Sequence, residues 1–208
     1  MIGPTLTFRT LFARALTIMV AVVAVCALVF FVLDGGWREL ARSGPVTLFV
    51  VAGVWALFWN PLVEVSDGGI TIVNVLRTTQ IPWPTLAAVD TQWALRVHTD
   101  DGRRHSSWAV PASSGMGART RRPSRSGVQK QPGDADRGSA AEGRTTISGA
   151  SADAVALAIG TRLEALTEAG HLGRGTIGAV HPVVTWNREV LVVLGILAPL
   201  SVLGLTLG

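Results

Sequence analysis

The run that decides how this chain is built begins Pro61-Leu62-Val63-Glu64-Val65-Ser66-Asp67-Gly68-Gly69-Ile70-Thr71-Ile72-Val73-Asn74-Val75-Leu76-Arg77-Thr78-Thr79. It continues through Gln80-Ile81-Pro82-Trp83 and Leu95-Arg96-Val97-His98, turns at Asp100-Asp101-Gly102 and closes at Pro111. Short alternating apolar runs cut by Gly and Asp turns predict an antiparallel sheet. Strands are expected at 62–66, 70–76 and 79–83, then within 85–91, 94–99 and 103–109. Asp67-Gly68-Gly69 and Asp100-Asp101-Gly102 supply the residues that tolerate positive φ in hairpin turns. Ile70, Ile72 and Leu76 alternate with Val73 and Val75, so both faces of that strand are apolar. Such a strand suits a curled sheet covered on more than one side, as in a small barrel.

Upstream, residues 1–14 form a basic segment with Arg9 and Arg14 and no acid. The next nineteen residues, 15–33, carry no charge. At 1.5 Å per residue they reach about 28 Å, close to the hydrocarbon thickness of a bilayer. A cleaved signal peptide shares the basic start and apolar middle, but this run is long for a signal core. It also continues as Asp34-Gly35-Gly36 with no small-x-small cleavage site, which predicts a retained transmembrane helix. Residues 34–44, with Trp37, Arg38, Glu39 and Arg42, are expected as a short external turn. Residues 45–61 are expected as a second transmembrane helix, making a hairpin with the first. Trp55 and Trp59 near its end suit either interfacial anchors or packing against the first helix. Cys26 is the single cysteine and lies inside an apolar run, so it offers neither an intrachain disulfide nor a zinc site.

Downstream of the sheet (62–111), residues 112–149 are rich in Ser, Gly, Pro, Ala and Arg without apolar periodicity. Such a segment buries too little surface to offset its ordering entropy, and a disordered basic linker is predicted. Arg144-Thr145-Thr146-Ile147 within it could add a late strand. Residues 150–170 predict an amphipathic helix: Ser151 at the N-cap, Asp153 in the first turn, Gly170 at C′, and Val155, Ile159, Leu163 and Leu166 on one stripe. A connector, 171–189, then leads through Trp186 and Arg188 to uncharged residues 190–207, a third transmembrane helix in which Pro199 is tolerable. The expected class is therefore an α+β membrane protein.

Charge is sparse, with 15% charged residues and a net charge of +4. The basic side chains are seventeen arginines and Lys130. A sequence pI near 10.9 points to nucleic acid or to an anionic membrane surface. The arginines flank the apolar runs, which favours the membrane. Fourteen of the eighteen basic residues lie between the second and third spans, and this places the N-terminus and the sheet in the cytoplasm of a multi-pass plasma (inner) membrane protein.

The pattern Pro61-x-Val63-Glu64-Val65, Asp67-x-Gly69-Ile70, Asn74-x-Leu76-Arg77-Thr78 and Ile81-Pro82-Trp83 resembles a bacterial pleckstrin-homology (PH)-like family. That family is typified by the low-molecular-weight protein antigen 6 PH domain. Arg96, Asp101-Gly102-Arg103-Arg104 and Trp108-Ala109-Val110-Pro111 continue the likeness, as does the apolar hairpin before the domain and Val184-Thr185-Trp186 before the last span. The resemblance implies a strongly bent antiparallel sheet closed at one end by a C-terminal helix. It implies no catalytic residues and no single ligand, because PH-like folds bind lipids, peptides and proteins alike.

No residue constellation here speaks for catalysis. Gly138-x4-Gly143-Arg144-Thr145 imitates a phosphate-binding loop, but has Arg where Lys is needed and follows no buried strand. His98, His105, His171 and His181 lack metal-ligand spacing, and no metal or cofactor is expected. A nominal triad of Asp90 or Asp100 with His98 and Ser106 is explained equally by strand and turn positions. Trp83, Trp93 and Trp108 suit core and rim packing, or stacking on a ligand. Arg119, Arg121, Arg122 and Arg125, in a run of five positive charges and no negative one, are the candidate contacts for anionic lipid. They are interleaved with Ser, Pro and Gly rather than aromatics, so no nucleic-acid partner is expected. The expectation is a non-enzymatic membrane protein presenting a PH-like module to an envelope protein partner, with anionic-lipid sensing as the alternative.

Overall fold

The computed structural model describes residues 3–111, 144–148, 151–170 and 181–207. They form two compact units, one built on a sheet and one on helices. The sheet unit contains β1 (Thr5–Arg9), β2 (Leu62–Ser66), β3 (Gly69–Val73), β4 (Arg77–Ile81), β5 (Leu86–Asp90), β6 (Ala94–Thr99), β7 (Arg104–Pro111), β8 (Arg144–Ser148) and β9 (Val183–Trp186). A six-stranded sheet runs in the order β8-β1-β2-β3-β4-β9, and a three-stranded sheet in the order β5-β6-β7. β1–β2, β2–β3, β3–β4, β5–β6 and β6–β7 pair antiparallel, and β1 pairs with β8 in parallel.

The register explains the core. Phe8, Val63 and Ile72 stand opposite one another across β1, β2 and β3, and Leu6, Val65, Ile70 and Ile81 make the next row through β4. The period-2 alternation sends these rows to one face. There they meet Leu95 and Val97 of β6, Ala109 and Val110 of β7, and one stripe of helix α3 (Ala152–Glu168) formed by Ala152, Val155 and Ile159. The helix starts as its sequence predicts, with Ser151 Oγ accepting from the Ala154 N–H at 3.4 Å, and Gly170 follows it with φ 73°. Gly69 has φ 145°, and a Cβ there would lie 2.3 Å from the Ile81 carbonyl oxygen. The turn therefore requires glycine twice over, for its backbone angle and for the closeness of the neighbouring strand.

The sheet unit is richer in strands than its sequence suggests. Residues 1–14 read as a basic segment, yet Thr5–Arg9 is a strand paired with β2. Residues 144–148 lie inside the segment expected to be a disordered linker, yet they pair with β1 as β8. Val183–Trp186 interrupts the expected connector as β9. The rest of the linker falls outside the described residues.

The helical unit contains α1 (Leu11–Phe30), a π turn at Phe31–Gly35, α2 (Gly36–Val54), a second π turn at Trp55–Trp59 and α4 (Arg188–Leu207), and it takes in Val75–Arg77, up to the first residue of β4, and Trp186, the last of β9. The expected turn over 34–44 is much tighter: the reversal is confined to Gly35 and Gly36, the latter with φ 63°, and residues 36–44 are helical. α1 folds back on α2, since Leu28 approaches Gly44 and the Arg14 guanidinium lies 5.6 Å from the Trp59 ring centroid. α4 runs antiparallel to α2, with Ser201 Oγ 3.0 Å from the Pro45 carbonyl oxygen. A Cβ on Gly204 would stand 2.6 Å from the Arg42 oxygen and 3.2 Å from the Ala41 oxygen. Pro45 has no N–H to give Ala41, so that carbonyl faces the gap which Gly204 leaves open. Leu11–Trp59 and Arg188–Thr206 are long and apolar enough to cross a membrane, by length and composition.

Candidate functional site

The three-stranded sheet turns one face to the core and one to solvent. On β6, Leu95, Val97 and Thr99 are buried and Ala94, Arg96 and His98 point outward. The register carries Asp90, Arg96 and Ser106 across one outer row and Ala88, His98 and Arg104 across the next. Trp108, 60% exposed, continues the outward series on β7, and Trp93, 72% exposed, lies just before β6.

Trp108 stands out because of how it is held. The pairing of β6 and β7 shifts between Ala94 and Arg96, so residues 107–110 of β7 bulge away from the β6 ladder. Asn74, just past the end of β3, fills in: its Nδ2 donates to the Ser106 carbonyl at 2.8 Å, and its Oδ1 accepts from the Trp108 N–H at 2.7 Å. A side-chain amide thus imitates a strand partner for β7. Within the bulge, Ser107 Oγ also accepts from the Ala109 N–H at 3.2 Å. Trp108 keeps the outward phase of Arg104 and Ser106 through the bulge, and its main chain is fixed there by Asn74. Tryptophan and arginine are among the residue types enriched at the energetic centres of protein interfaces.

The β6–β7 turn is organised around Asp101. Its carboxylate accepts from the Thr99 hydroxyl and, at 3.1 Å, from the Arg103 N–H, and Arg103 Nε lies 3.5 Å from Oδ2. The Thr99 hydrogen bond first, then the Arg103 N–H, hold this carboxyl below its ordinary value. His105 faces inward opposite Val97, with Nε2 buried and lacking a hydrogen-bond partner among the described residues. Burial pushes its pKa below the ordinary value, and nearby Asp101 offsets only part of that.

The residues singled out from the sequence are scattered by this fold. His98 stands across from Arg104, Asp90 and Ser106 flank Arg96, and Asp100 sits at the hairpin tip, so the nominal triad is not assembled. Of the three sheet tryptophans, Trp83 is core, 4% exposed, with Nε1 donating to the Ser66 carbonyl at 3.0 Å. Trp93 and Trp108 are exposed. Arg119, Arg121, Arg122, Arg125 and His171 lie outside the described residues, as does the Gly138–Gly143 part of the imitation phosphate loop, whose Arg144 and Thr145 fall on β8. Among the described residues there is no group of three or more His, Cys, Asp or Glu that could hold a metal ion.

Two structural roles were missed in the sequence. Asn74 belongs to the quoted pattern, but only the bulge reveals what it binds. Arg162 on α3 donates through Nη2 to the carbonyls of Gly3 at 2.7 Å and Pro4 at 3.1 Å, and pairs with Asp67 Oδ1 at 2.9 Å. An arginine breaking the helix's polar face carries no sequence signal of partners that distant.

A bacterial PH domain family model matches residues 60–124, just under a third of the chain. The matched stretch takes in β2 through β7, the strands that build and present the tryptophan face, so the chain contains a bacterial PH-like domain. No curated protein matches the chain, and no solved structure does.

Proposed function

We propose that this chain is a non-enzymatic, multi-pass membrane protein whose PH-like domain docks a protein partner of the cell envelope at the cytoplasmic face. The observation that carries the docking reading is the outer face on which Trp108, held by Asn74 in a bulge, follows the rows of Arg96 and Arg104, with exposed Trp93 at the entry to β6. Nothing in the core packing calls for an exposed indole there.

The membrane reading is supported by exposed apolar side chains along the helical unit, among them Ile18, Val22, Val29, Ile196 and Leu203. Exposure on that scale in water is unusual. Hydroxyls in these helices turn back on the carbonyl four residues earlier, Thr17 to Ala13, Thr47 to Ser43 and Ser201 to Leu197. That leaves little polar surface for lipid to meet. Connectivity supports two crossings by the first helical segment: β1 precedes it, β2 follows it, and the two strands are hydrogen-bonded to each other. Its ends therefore lie on one side. Arg9, Arg14, Arg77 and Arg188 lie near the helix ends that adjoin the strands, against Arg38 and Arg42 at the opposite end. The positive-inside rule then favours a cytoplasmic sheet and a C-terminus across the membrane.

The test is in-cell crosslinking of the tagged full-length protein, followed by mild-detergent purification and identification of what travels with it. Wild type is expected to retain one dominant protein that Trp108→Ala or Trp93→Ala loses, while the amount in the membrane stays unchanged. Equal recovery of the same proteins with wild type and both variants would refute the docking face. The alternative, anionic-lipid sensing by Arg119, Arg121, Arg122 and Arg125, is favoured by that acid-free stretch of sequence. It requires that replacing all four by Gln reduces binding to phosphatidylglycerol liposomes.

A further inference from the structure

We propose that the end of the helical unit carrying Arg14, Trp59, Arg77 and Trp186 is a binding site for the phosphate group of an anionic phospholipid. This rests on the membrane reading above, but concerns different residues from the linker arginines and a different element from the docking face.

Helix pairing within the unit sets the level of each residue. α1 and α2 are antiparallel, with Arg14 at Trp59 and Leu28 at Gly44. α2 and α4 are antiparallel, with Ser201 at Pro45 and Gly204 at Arg42. Stepping fourteen residues from Ser201 to Asn187 and from Pro45 to Trp59 covers about 21 Å along each helix. The start of α4 is therefore level with Trp59 and Arg14. The β3–β4 loop is tied to that same level: the Asn187 N–H donates to the Leu76 carbonyl at 2.9 Å, and Asn187 Nδ2 to the Val75 carbonyl at 3.2 Å. Arg77, which follows this loop as the first residue of β4, lies with its guanidinium 4.3 Å from the Trp186 ring centroid. Arg188, the first residue of α4, is exposed.

Three arginines thus occupy one end of the unit, and none has a carboxylate partner among the described residues. Two lie on indoles. An arginine resting on a ring face has its plane occupied, but its N–H fork stays free at the edge, the arrangement that suits two oxygens of a phosphate. Arg14 adds a second observation: its Nε is buried and has no hydrogen-bond acceptor among the described residues. A buried donor of this kind calls for an acceptor. Lipid phosphates lie at the depth where tryptophan belts sit, and they would supply one. The opposite end differs: Asp34 and Glu39 there balance Arg38 and Arg42.

The experiment is native mass spectrometry of the full-length protein from mild detergent, titrated with phosphatidylglycerol or phosphatidylcholine. Wild type is expected to keep phosphatidylglycerol in preference. Arg14→Gln and Arg77→Gln should each weaken that retention about fivefold and the double variant about 25-fold, with Arg14→Lys in between and Arg38→Gln unchanged. No preference in wild type, or equal losses in Arg38→Gln, would overturn the proposal. Displacement by millimolar inorganic phosphate without any lipid preference would overturn the lipid assignment. Alkaline extraction of membranes, run on every variant, separates the two readings. Release of wild type into the soluble fraction defeats the membrane reading itself, whereas retention without preference defeats only this site.

Discussion

Arg162 offers the sharpest test of how the sheet unit is held. Its Nη2 reaches the Gly3 and Pro4 carbonyls at 2.7 and 3.1 Å and Asp67 at 2.9 Å, with the Arg162 side chain 17% and the Asp67 side chain 33% exposed. One guanidinium therefore fastens α3 to the start of β1 and to the β2–β3 turn. Hydrogen bonds to a charged group contribute about 1.5–3 kcal/mol each when shielded. Asp67 and Pro4 are partly wet, and exposed ion pairs contribute about 1 kcal/mol or less, so Arg162→Ala should cost roughly 2–3 kcal/mol in total. At about 1.4 kcal/mol per decade, this is about 30- to 150-fold in the opening equilibrium of β1. Hydrogen–deuterium exchange of the full-length protein in detergent reads that quantity directly at the Thr5–Arg9 amides. Asp67→Asn should accelerate exchange by about fivefold or less, and Arg162→Lys should fall between, because it keeps the charge but not the length and planar geometry that bring the guanidinium to these acceptors. Gly3→Ala is an independent probe, since its Cβ would fall 1.9 Å from Arg162 Nη1. If Arg162→Ala leaves β1 exchange within about threefold of wild type, the strand is held by its ladders alone and the reasoning is wrong.

Other outcomes follow from single contacts. Gly204→Val drives a Cβ to 2.6 Å from the Arg42 oxygen and should separate α4 from α2; disulfide formation between Cys substitutions at Pro45 and Ser201, in a Cys26→Ser background, should drop severalfold, and undiminished crosslinking would contradict the packing. Gly69→Ala combines a φ of 145° with a 2.3 Å approach to the Ile81 oxygen, so a loss of roughly 3 kcal/mol or more is expected, read as faster exchange across β2, β3 and β4. His105 has its folded pKa pushed below 6.5 by burial, so the unfolded chain takes up the proton first. Stability of the β6–β7 hairpin should be flat above about pH 6.5 and fall as pH drops from there towards the lowered folded value. His105→Gln should remove that slope between pH 5 and 7, and a slope that survives the substitution would show that another group causes it.

The parts legible in the sequence are those whose cause is local. β2, β6 and α3 follow from period-2 and period-3.6 patterns that any neighbour would satisfy, and Gly69 and Gly102 mark turns through backbone freedom alone. β1 was hidden because Thr5–Arg9 shows only two apolar residues, Leu6 and Phe8, beside a long apolar run that dominates any reading of that end. Its partner strands lie more than fifty residues away. β8 was open to doubt for a similar reason: Arg144–Ser148 sits in low-complexity sequence, and only pairing with β1 makes it a strand. The 34–44 turn was drawn too wide because Arg38, Glu39 and Arg42 look like loop residues, although charges at a helix end are well tolerated once Gly36 has reversed the chain. The tryptophan face was half visible. All three sheet tryptophans stand out in the sequence, but what buries Trp83 is a turn that aims its indole at the Ser66 carbonyl, and what holds Trp108 is a register shift filled by Asn74, neither of which leaves a periodic trace.

The first helical segment separates two strands that the sheet needs side by side. The chain makes β1, then the whole of Leu11–Trp59, and only then β2, yet Phe8 of β1 is 1% exposed and stands opposite Val63 in the middle of the sheet. β8 depends on β1 as its only strand partner among the described residues. A sheet assembled from such distant pieces folds slowly and presents unpaired edges while it waits. The domain is therefore complete only after the helical hairpin has returned. A fragment starting at residue 61 would lack Phe8, whose removal from a core costs about 3–5 kcal/mol, and would expose the β2 edge as well. That fragment is expected to aggregate or to show fast exchange through β2 and β3, and a synthetic peptide of residues 3–10 added in trans should slow the exchange. A monomeric fragment with the protection of the full-length protein, unaffected by the peptide, would show that β1 is dispensable. For the same reason Trp108→Ala in the intact chain is a cleaner control for partner binding than removal of the sheet, which would leave β1 without β2.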